Sequence, residues 1–235
     1  MKFSQAVYTA IGKRRNNEDA AAIYRGEKGL LAVVADGLGG QAFGERASRV
    51  AVESFQSLPE RTSASGEELE AAVDRADKAV GELQRRYPGA MTTVAALWLE
   101  EGRAFAVHIG DTRIYQFRKG AIVFQSEDHS MAQLAVKKGE IRPEDIRSYT
   151  DRNVLFRALG GRRELEPQAR ELSVLPGDRF LLCSDGFWET ITEERMLAEA
   201  ARCPTAEKWL AAMRKRVEPA AIDNNTAAAL VAETE

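Results

Sequence analysis

The chain has 235 residues, of which 44% are hydrophobic and 29% are charged. This composition is ordinary for a globular protein and excludes the disordered and fibrous classes, and the length suits one sizeable domain better than two. The formal net charge of −3 argues against nucleic acid as a partner, because binding to a phosphate backbone requires a basic surface.

The cysteines and the apolar runs bear on location. Cys183 and Cys203 have neither the spacing of a zinc site nor that of a redox pair, so reduced thiols in a cytoplasmic protein are the simplest interpretation. No apolar run reaches the length that a bilayer requires, and the segment after Met1 lacks the apolar stretch of a secretion signal. We therefore expect a cytoplasmic monomer without a membrane span.

Apolar runs bounded by turn residues predict a series of strands along the chain. They lie near residues 3–10, 20–25, 30–35, 93–99, 103–109, 113–118, 121–125, 179–184 and 226–232. Turns at Glu101-Gly102 and Lys119-Gly120 make the strands between 93 and 125 an antiparallel meander.

Helical patterns lie between these groups of strands. After a turn at Gly39-Gly40, apolar residues recur at helical spacing over 47–58, and a capping box at Ser65 begins a second amphipathic helix that extends to residue 83. Another helix, over 205–217, has a threonine cap. This order of elements favours layered α+β packing over strict βαβ alternation.

The segment from Met131 to Asn153 differs from its neighbours. It mixes both signs of charge and shows little apolar face, which is typical of a mobile surface excursion. A solvated helix and loop without a functional role is an equally good interpretation of the same residues.

Acidic residues stand at the ends of the predicted strands. Asp36-Gly37, Gly110-Asp111 and Asp185-Gly186 each follow an apolar run, and Asp223-Asn224 precedes the last one. A single Asp-Gly pair is more often a turn than a ligand. Several carboxylates collected at the ends of buried strands repel one another and are costly to desolvate, so such a set predicts a metal site.

Six short motifs follow one another over nearly the whole chain. They are Gly12 to Asp19, Asp36 to Gly40, Gly110 to Arg113, Asp128 to Ser130, Ser184 to Gly186 and Asp223 to Thr226. In this order they resemble the metal-dependent serine/threonine phosphatases of the protein phosphatase 2C type. The resemblance extends from Thr9 to Val231, and the compact length is similar to that of a bacterial stand-alone catalytic domain.

The resemblance implies an architecture. It is a four-layer αββα sandwich in which two antiparallel sheets are flanked by helix pairs, with the metal centre in the cleft between the sheets. Residues 1–235 would form one catalytic domain. The segment at about 131–153 occupies the place of a variable flap beside the active site, which makes it a candidate for substrate selection.

The resemblance also implies two Mn²⁺ or Mg²⁺ ions. Asp36 would bridge them, with the Gly37 carbonyl and Glu18 on one ion, and with Asp185 and Asp223 on the other. These are oxygen ligands, which hard divalent cations prefer. Two such ions can activate a shared water for attack on phosphorus, without a covalent phosphoenzyme.

Further roles follow from the same resemblance. Asp19 would act mainly through metal-bound water, and Asp111 would hold a third, weaker metal together with Asp185. An all-oxygen cage makes His108 and His129 poor candidates for ligands.

Arg14 is the candidate for binding the substrate phosphate, because a guanidinium donates two parallel hydrogen bonds to phosphate oxygens. Its spacing to Asn17-Glu18-Asp19 matches the family pattern and favours it over Arg15. A plain ion pair between Arg14 and Glu18 is the structural alternative. We expect Arg113 to order nearby carboxylates instead.

The chain departs from the family pattern at three positions. Leu38 stands where many animal relatives have a histidine that is thought to protonate the leaving alkoxide. Leucine cannot do so, and our hypothesis assigns the acid to a water on the third metal, held by Asp111. Met91 stands where the family usually has glycine, and Ala10 where aspartate is common.

The predicted function is therefore hydrolysis of phosphoserine and phosphothreonine in proteins, with Arg14, Asp36 and Asp111 as the catalytic residues. Two alternatives remain open: a pseudo-phosphatase that binds phosphoproteins without turnover, and a phosphohydrolase of small metabolites. The family resemblance makes a cognate serine/threonine kinase or a forkhead-associated-domain protein a plausible partner.

Overall fold

The structure, a computed structural model, describes residues 1–27, 29–38, 43–161 and 165–233. The predicted turn at Gly39-Gly40 lies outside the described residues. Within them, no helix combines the length and the apolar character needed to cross a membrane.

The strands follow the predicted order closely. In chain order they are β1 (Phe3–Ala10), β2 (Asp19–Arg25), β3 (Gly29–Leu38), β4 (Met91–Thr92), β5 (Val94–Glu100), β6 (Arg103–Ile109), β7 (Arg113–Arg118), β8 (Ala121–Gln125), β9 (Arg170–Ser173), β10 (Arg179–Cys183) and β11 (Asn225–Ala232).

The helices lie between groups of strands. They are α1 (Gly44–Glu53), α2 (Leu58–Arg61), α3 (Gly66–Leu83), α4 (Met131–Lys137), α5 (Asp185–Trp188), α6 (Glu193–Arg202) and α7 (Ala206–Val217), with a 3-10 helix at Pro143–Ser148. The predicted caps are present, since the side chains of Ser65 and Thr205 accept hydrogen bonds from the backbone of Glu68 and Lys208.

Two antiparallel sheets form the centre of the molecule. One has the order β1-β11-β10-β7-β8, and the other has the order β2-β3-β5-β6-β9, with β4 paired to β3. Every strand pairing within them is antiparallel. The prediction of two antiparallel sheets is confirmed.

Three apolar clusters show the layering. In β3, Leu31 and Val33 face α1 and α3, whereas Leu30 and Ala32 face the other sheet, so both faces of this strand are buried. On the outer face of the first sheet, Trp209 of α7 packs in a separate cluster with residues of β7, β10 and β11. The order is helices, sheet, sheet, helices, as the resemblance implied.

Some local features differ from the sequence-based expectations. The third predicted strand does not end before Asp36 but continues to Leu38, and β9 and α6 had no counterpart among the predictions. The segment 131–153 is not simply a surface excursion, because Ala132, Ala135 and Ile146 are buried. Its apolar face was missed because alanines supply much of it.

Candidate metal centre

The predicted ligands lie where strands of both sheets end. Asp19 begins β2 and is the register partner of Asp36, which lies two residues before the end of β3. Asp185 begins α5 directly after β10, and Asp223 precedes β11 by two residues. The fold therefore gathers carboxylates from both sheets at one edge of the sandwich.

Asp19 links the two sheets. Its Oδ2 accepts a hydrogen bond from Ser184 Oγ at 2.7 Å. The other oxygen, Oδ1, is buried without a hydrogen-bond partner among the described residues. A buried carboxylate oxygen without a partner is costly, so this atom fits a group that binds a cation.

The carboxyl groups raise one another's pKa values. Burial, followed by the charges of Asp19, Asp185 and Asp111, holds the pKa of Asp36 well above its ordinary value. The carboxylates resist simultaneous ionisation, and divalent cations would relieve that repulsion.

The same effect extends to neighbouring groups. Burial raises the pKa of Asp19 to about 7, against opposing hydrogen bonds from Ser184 and Thr226. It raises the pKa of Asp185 to about 6, with a further contribution from the charge of Asp223. The pKa of Asp111 is also well above its ordinary value, first because of burial and then because of Asp185.

Arg14 and Asp223 form an ion pair at the rim of this cluster. Arg14 Nε donates to Asp223 Oδ1 at 2.7 Å, and Nη2 donates to Oδ2. The side chain of Arg14 remains 57% exposed. The structure thus joins Arg14 to Asp223 by hydrogen bonds, and Glu18 contributes only a weaker charge interaction with the guanidinium.

The donor set suits hard cations, although the side chains do not already surround one. Within the described residues, no group of three or more His, Cys, Asp and Glu side chains has the arrangement of a ready metal cage. The fit rests instead on oxygen donors, their mutual repulsion and the unpartnered Oδ1 of Asp19.

The two histidines are engaged elsewhere. Their rings stack with centroids 4.7 Å apart, His108 Nε2 contacts the Glu127 carbonyl at 2.7 Å, and His129 Nδ1 accepts from the Gly110 amide at 3.1 Å. Each ring therefore has one nitrogen occupied by backbone.

Two glycines of the Asp-Gly pairs allow backbones to meet closely. A Cβ on Gly37 would lie 2.4 Å from the backbone of Gly44, and one on Gly186 would lie 2.1 Å from the Asn224 carbonyl oxygen. Neither pair is an ordinary turn, since Gly37 lies in β3 and Gly186 lies in α5. These glycines hold the ligand-bearing segments together.

Asp111 is held through its backbone and its neighbours. Trp188 Nε1 donates to the Asp111 carbonyl at 3.0 Å, and the guanidinium of Arg113 lies 3.4 Å above the Trp188 ring. Arg113 also bonds Asp128 with two hydrogen bonds of 2.8 and 2.7 Å. Arg113 thus orders a nearby carboxylate.

The residues that position the carboxylates were not assigned that role from the sequence, although Ser184 and Asn224 lie within its motifs. Asp36 N donates to Thr93 Oγ1 at 3.0 Å, and Glu18 N donates to Asn224 Oδ1 at 2.8 Å. Ser184 and Trp188 act similarly. In the sequence, small polar residues stand beside several of these carboxylates. Such residues are common in turns, so their presence does not identify a positioning role.

Comparison with known proteins places this geometry in context. Residues 8–230 match the family model described as protein phosphatase 2C. The serine/threonine protein phosphatase PstP of Mycobacterium tuberculosis is 35% identical over 196 residues, which cover 81% of this chain and 37% of PstP. The chain therefore spans little more than a third of the length of that relative.

Two further similarities are informative. The serine/threonine phosphatase stp of Listeria innocua is 29% identical over 193 residues, covering 78% of this chain and 77% of that protein. A crystal structure of the catalytic domain of PstP in complex with two manganese ions has a TM-score of 0.86 and 30% identity, and the match covers 99% of each chain.

Proposed function

This chain belongs to the protein phosphatase 2C family, and on that premise we propose that it hydrolyses phosphoserine and phosphothreonine in proteins. Residues 1–235 would act as one catalytic domain. The observation that carries the proposal is the convergence of Asp19, Asp36 and Asp185 from both sheets, with one buried carboxylate oxygen left unpartnered.

We propose Glu18, Asp19, Asp36, Asp111, Asp185, Asp223 and the Gly37 carbonyl as the ligands of two manganese or magnesium ions and of a third, weaker one. When bound, these ions would lower the pKa of a shared water and screen the charge of the phosphate. Asp36 would be the bridging ligand, a role supported by the charges of Asp19, Asp185 and Asp111, which raise its pKa.

The chain's own residues bind and orient the substrate. Arg14 stands at the exposed rim of the carboxylate cluster, where its guanidinium can exchange Asp223 for the two oxygens of a phosphate. Leu38 offers no proton to the leaving group. A group near Asp111 and Asp185 would therefore have to protonate the leaving seryl or threonyl oxygen.

We propose phosphorylated proteins as the physiological partners, and more specifically a cognate serine/threonine kinase or a forkhead-associated-domain protein. A cytoplasmic location is supported by the two cysteines, which are both free.

The test is hydrolysis of an aryl phosphate and of a phosphothreonine peptide, with and without manganese. We expect both to be cleaved with manganese and neither in excess chelator, and Asp36→Asn to lower kcat on the order of a thousandfold. No turnover of either substrate would favour a phosphoprotein-binding pseudo-phosphatase. Cleavage of small phosphate esters alone would favour a metabolite phosphohydrolase.

A further inference from the structure

A groove opens beside the carboxylate cluster. It encloses about 560 Å³, and its described lining includes Leu38, Met91, Leu155, Phe156 and Leu165. Arg157 supplies a cationic group in the same lining. This surface is therefore mainly apolar and lies next to a highly charged centre.

The groove and the centre share one hydrogen-bonded framework. Gly37 and Leu38 of β3 pair with Thr92 and Met91 of β4, so the wall begins two residues after Asp36. The Asp36 carbonyl accepts a hydrogen bond from Thr93 N at 2.8 Å. A substrate segment that leaves the phosphate site on this side must pass along the wall.

The opposite wall is tied to the same strand. Leu159 N donates to the Thr92 carbonyl at 2.8 Å, which fixes the segment 154–159 against β4. Within that segment, Phe156 lines the groove and is 36% exposed. Exposed apolar side chains grouped around a concave surface are typical of a binding site.

Two of the chain's departures from the family pattern meet in this wall. Leu38 replaces the histidine of many animal relatives, and Met91 replaces a usual glycine. They are direct register partners, and each is only partly buried. Together they make the side of the groove nearest the phosphate site apolar.

We propose that this groove binds an apolar side chain of the protein substrate, located within a few residues of the phosphorylated serine or threonine. The inference rests on the proposed phosphatase function and specifies its substrate class. Burial of a leucine-sized side chain against Leu38, Met91 and Phe156 stabilises the bound peptide, whereas a polar side chain of equal size loses hydration there.

The test compares phosphothreonine peptides that differ at one position. Leucine is placed in turn at each of the three positions on either side of the phosphothreonine, in an otherwise glutamine-rich peptide. We expect leucine at one of these positions to raise kcat/KM roughly tenfold over glutamine. We expect Met91→Gln and Phe156→Gln each to reduce that ratio to about twofold or less.

A matched control substitution lies away from the groove. Leu175 is 46% exposed in the loop before β10, and Leu175→Gln should retain the full leucine-to-glutamine ratio. The ratio is measured within each variant, so partial loss of folded enzyme does not alter it.

Three outcomes would overturn the proposal. The first is a wild-type enzyme that cleaves the peptides without preferring leucine anywhere, and the second is a preference that persists in both groove variants. The third is a dimer in sedimentation that Met91→Gln dissociates, since a second copy would then occupy the groove. Failure of the wild type to cleave even an aryl phosphate would instead contradict the phosphatase function, and this inference with it.

Discussion

Asp19 shows how one residue can connect the fold to the chemistry. Its backbone pairs with Asp36 within one sheet, while its side chain bonds Ser184 at the end of a strand of the other. Burial without full hydrogen bonding makes its ionised form unfavourable. In its ionised form, Asp19 therefore lowers the stability of the folded protein unless a cation is bound.

The raised pKa of Asp19 predicts how stability depends on pH in excess chelator. The folded protein holds a proton on Asp19 up to about pH 7, whereas the unfolded chain releases it near its ordinary, lower pKa. The folded state therefore binds more protons in this interval, and stability falls as pH rises through it. The stability that the protonated Asp19 contributes is fully present only below the ordinary pKa of an aspartate.

Asp19→Asn should remove that dependence. At pH 8 we expect the variant to be more stable than the wild type in chelator, by up to about 4 kcal/mol, and at pH 4 we expect the two to be similar. Urea unfolding at both pH values measures this difference. If the difference in stability between the wild type and the variant were the same at pH 8 and at pH 4, Asp19 would ionise freely in the folded protein.

Sequence reasoning reached the carboxylates but not their supports. Asp36, Asp111 and Asp185 stand out because each ends an apolar run. Thr93 holds Asp36 and Ser184 holds Asp19, but the sequence did not indicate this role for either hydroxyl, although Ser184 lies in the motif Ser184 to Gly186. Their role depends on contacts between segments far apart in the chain, which no local pattern encodes.

At the scale of elements, α5 and the segment 131–153 form one unit beside the site. Arg147 donates to the Trp188 carbonyl at 3.1 and 3.2 Å and to Glu193 Oε2 at 2.8 Å. Arg152 bonds Glu189 at 2.7 Å. Since α5 begins with Asp185 and its Trp188 bonds the Asp111 carbonyl, these arginines connect the proposed flap to the ligands.

Arg147→Gln tests this anchoring. Loss of the guanidinium removes the donor to the Trp188 carbonyl and to Glu193 Oε2, which should lower the free energy of unfolding by about 1–3 kcal/mol. We also expect faster limited proteolysis within residues 138–152, because the segment loses its attachment to α5. Urea unfolding and mass spectrometry of the cleavage products provide the measurements.

Arg142→Gln is the matched control for that experiment. Arg142 is 72% exposed, and its guanidinium pairs with Glu144 and Asp145 of its own segment. Its loss should leave the free energy of unfolding nearly unchanged, because solvent screens an ion pair at the surface. Equal proteolysis rates for Arg147→Gln and the wild type would contradict an anchoring role.

The elements were predicted unevenly, for identifiable reasons. Helix α3 has a capping serine and a long apolar stripe, and its start was correct. Helix α6 was missed because a short, strongly charged stretch hides its two buried apolar positions, Met196 and Ala200. Strand β9 is only four residues long and has a single buried side chain, Leu172.

At the scale of the molecule, the site exists only where the two sheets meet. Asp19 and Asp36 belong to one sheet, and Asp185 and Asp223 flank strands of the other. The apolar layer between the sheets fixes their distance, and each carboxylate is costly in isolation. A layered α+β fold could be anticipated from the order of elements, and the turns predicted the hairpins β5–β6 and β7–β8. The single meander expected over 93–125 was wrong, because β6 and β7 belong to different sheets.

The central claim is that these converging carboxylates bind divalent cations, and manganese titration by calorimetry tests it most directly. We predict two ions per wild-type chain, loss of at least one in Asp36→Asn, and unchanged binding in Glu140→Gln, whose carboxylate lies on the exposed surface of the flap. A wild-type chain that binds no manganese, or an Asp36→Asn variant that binds it as the wild type does, would contradict the account.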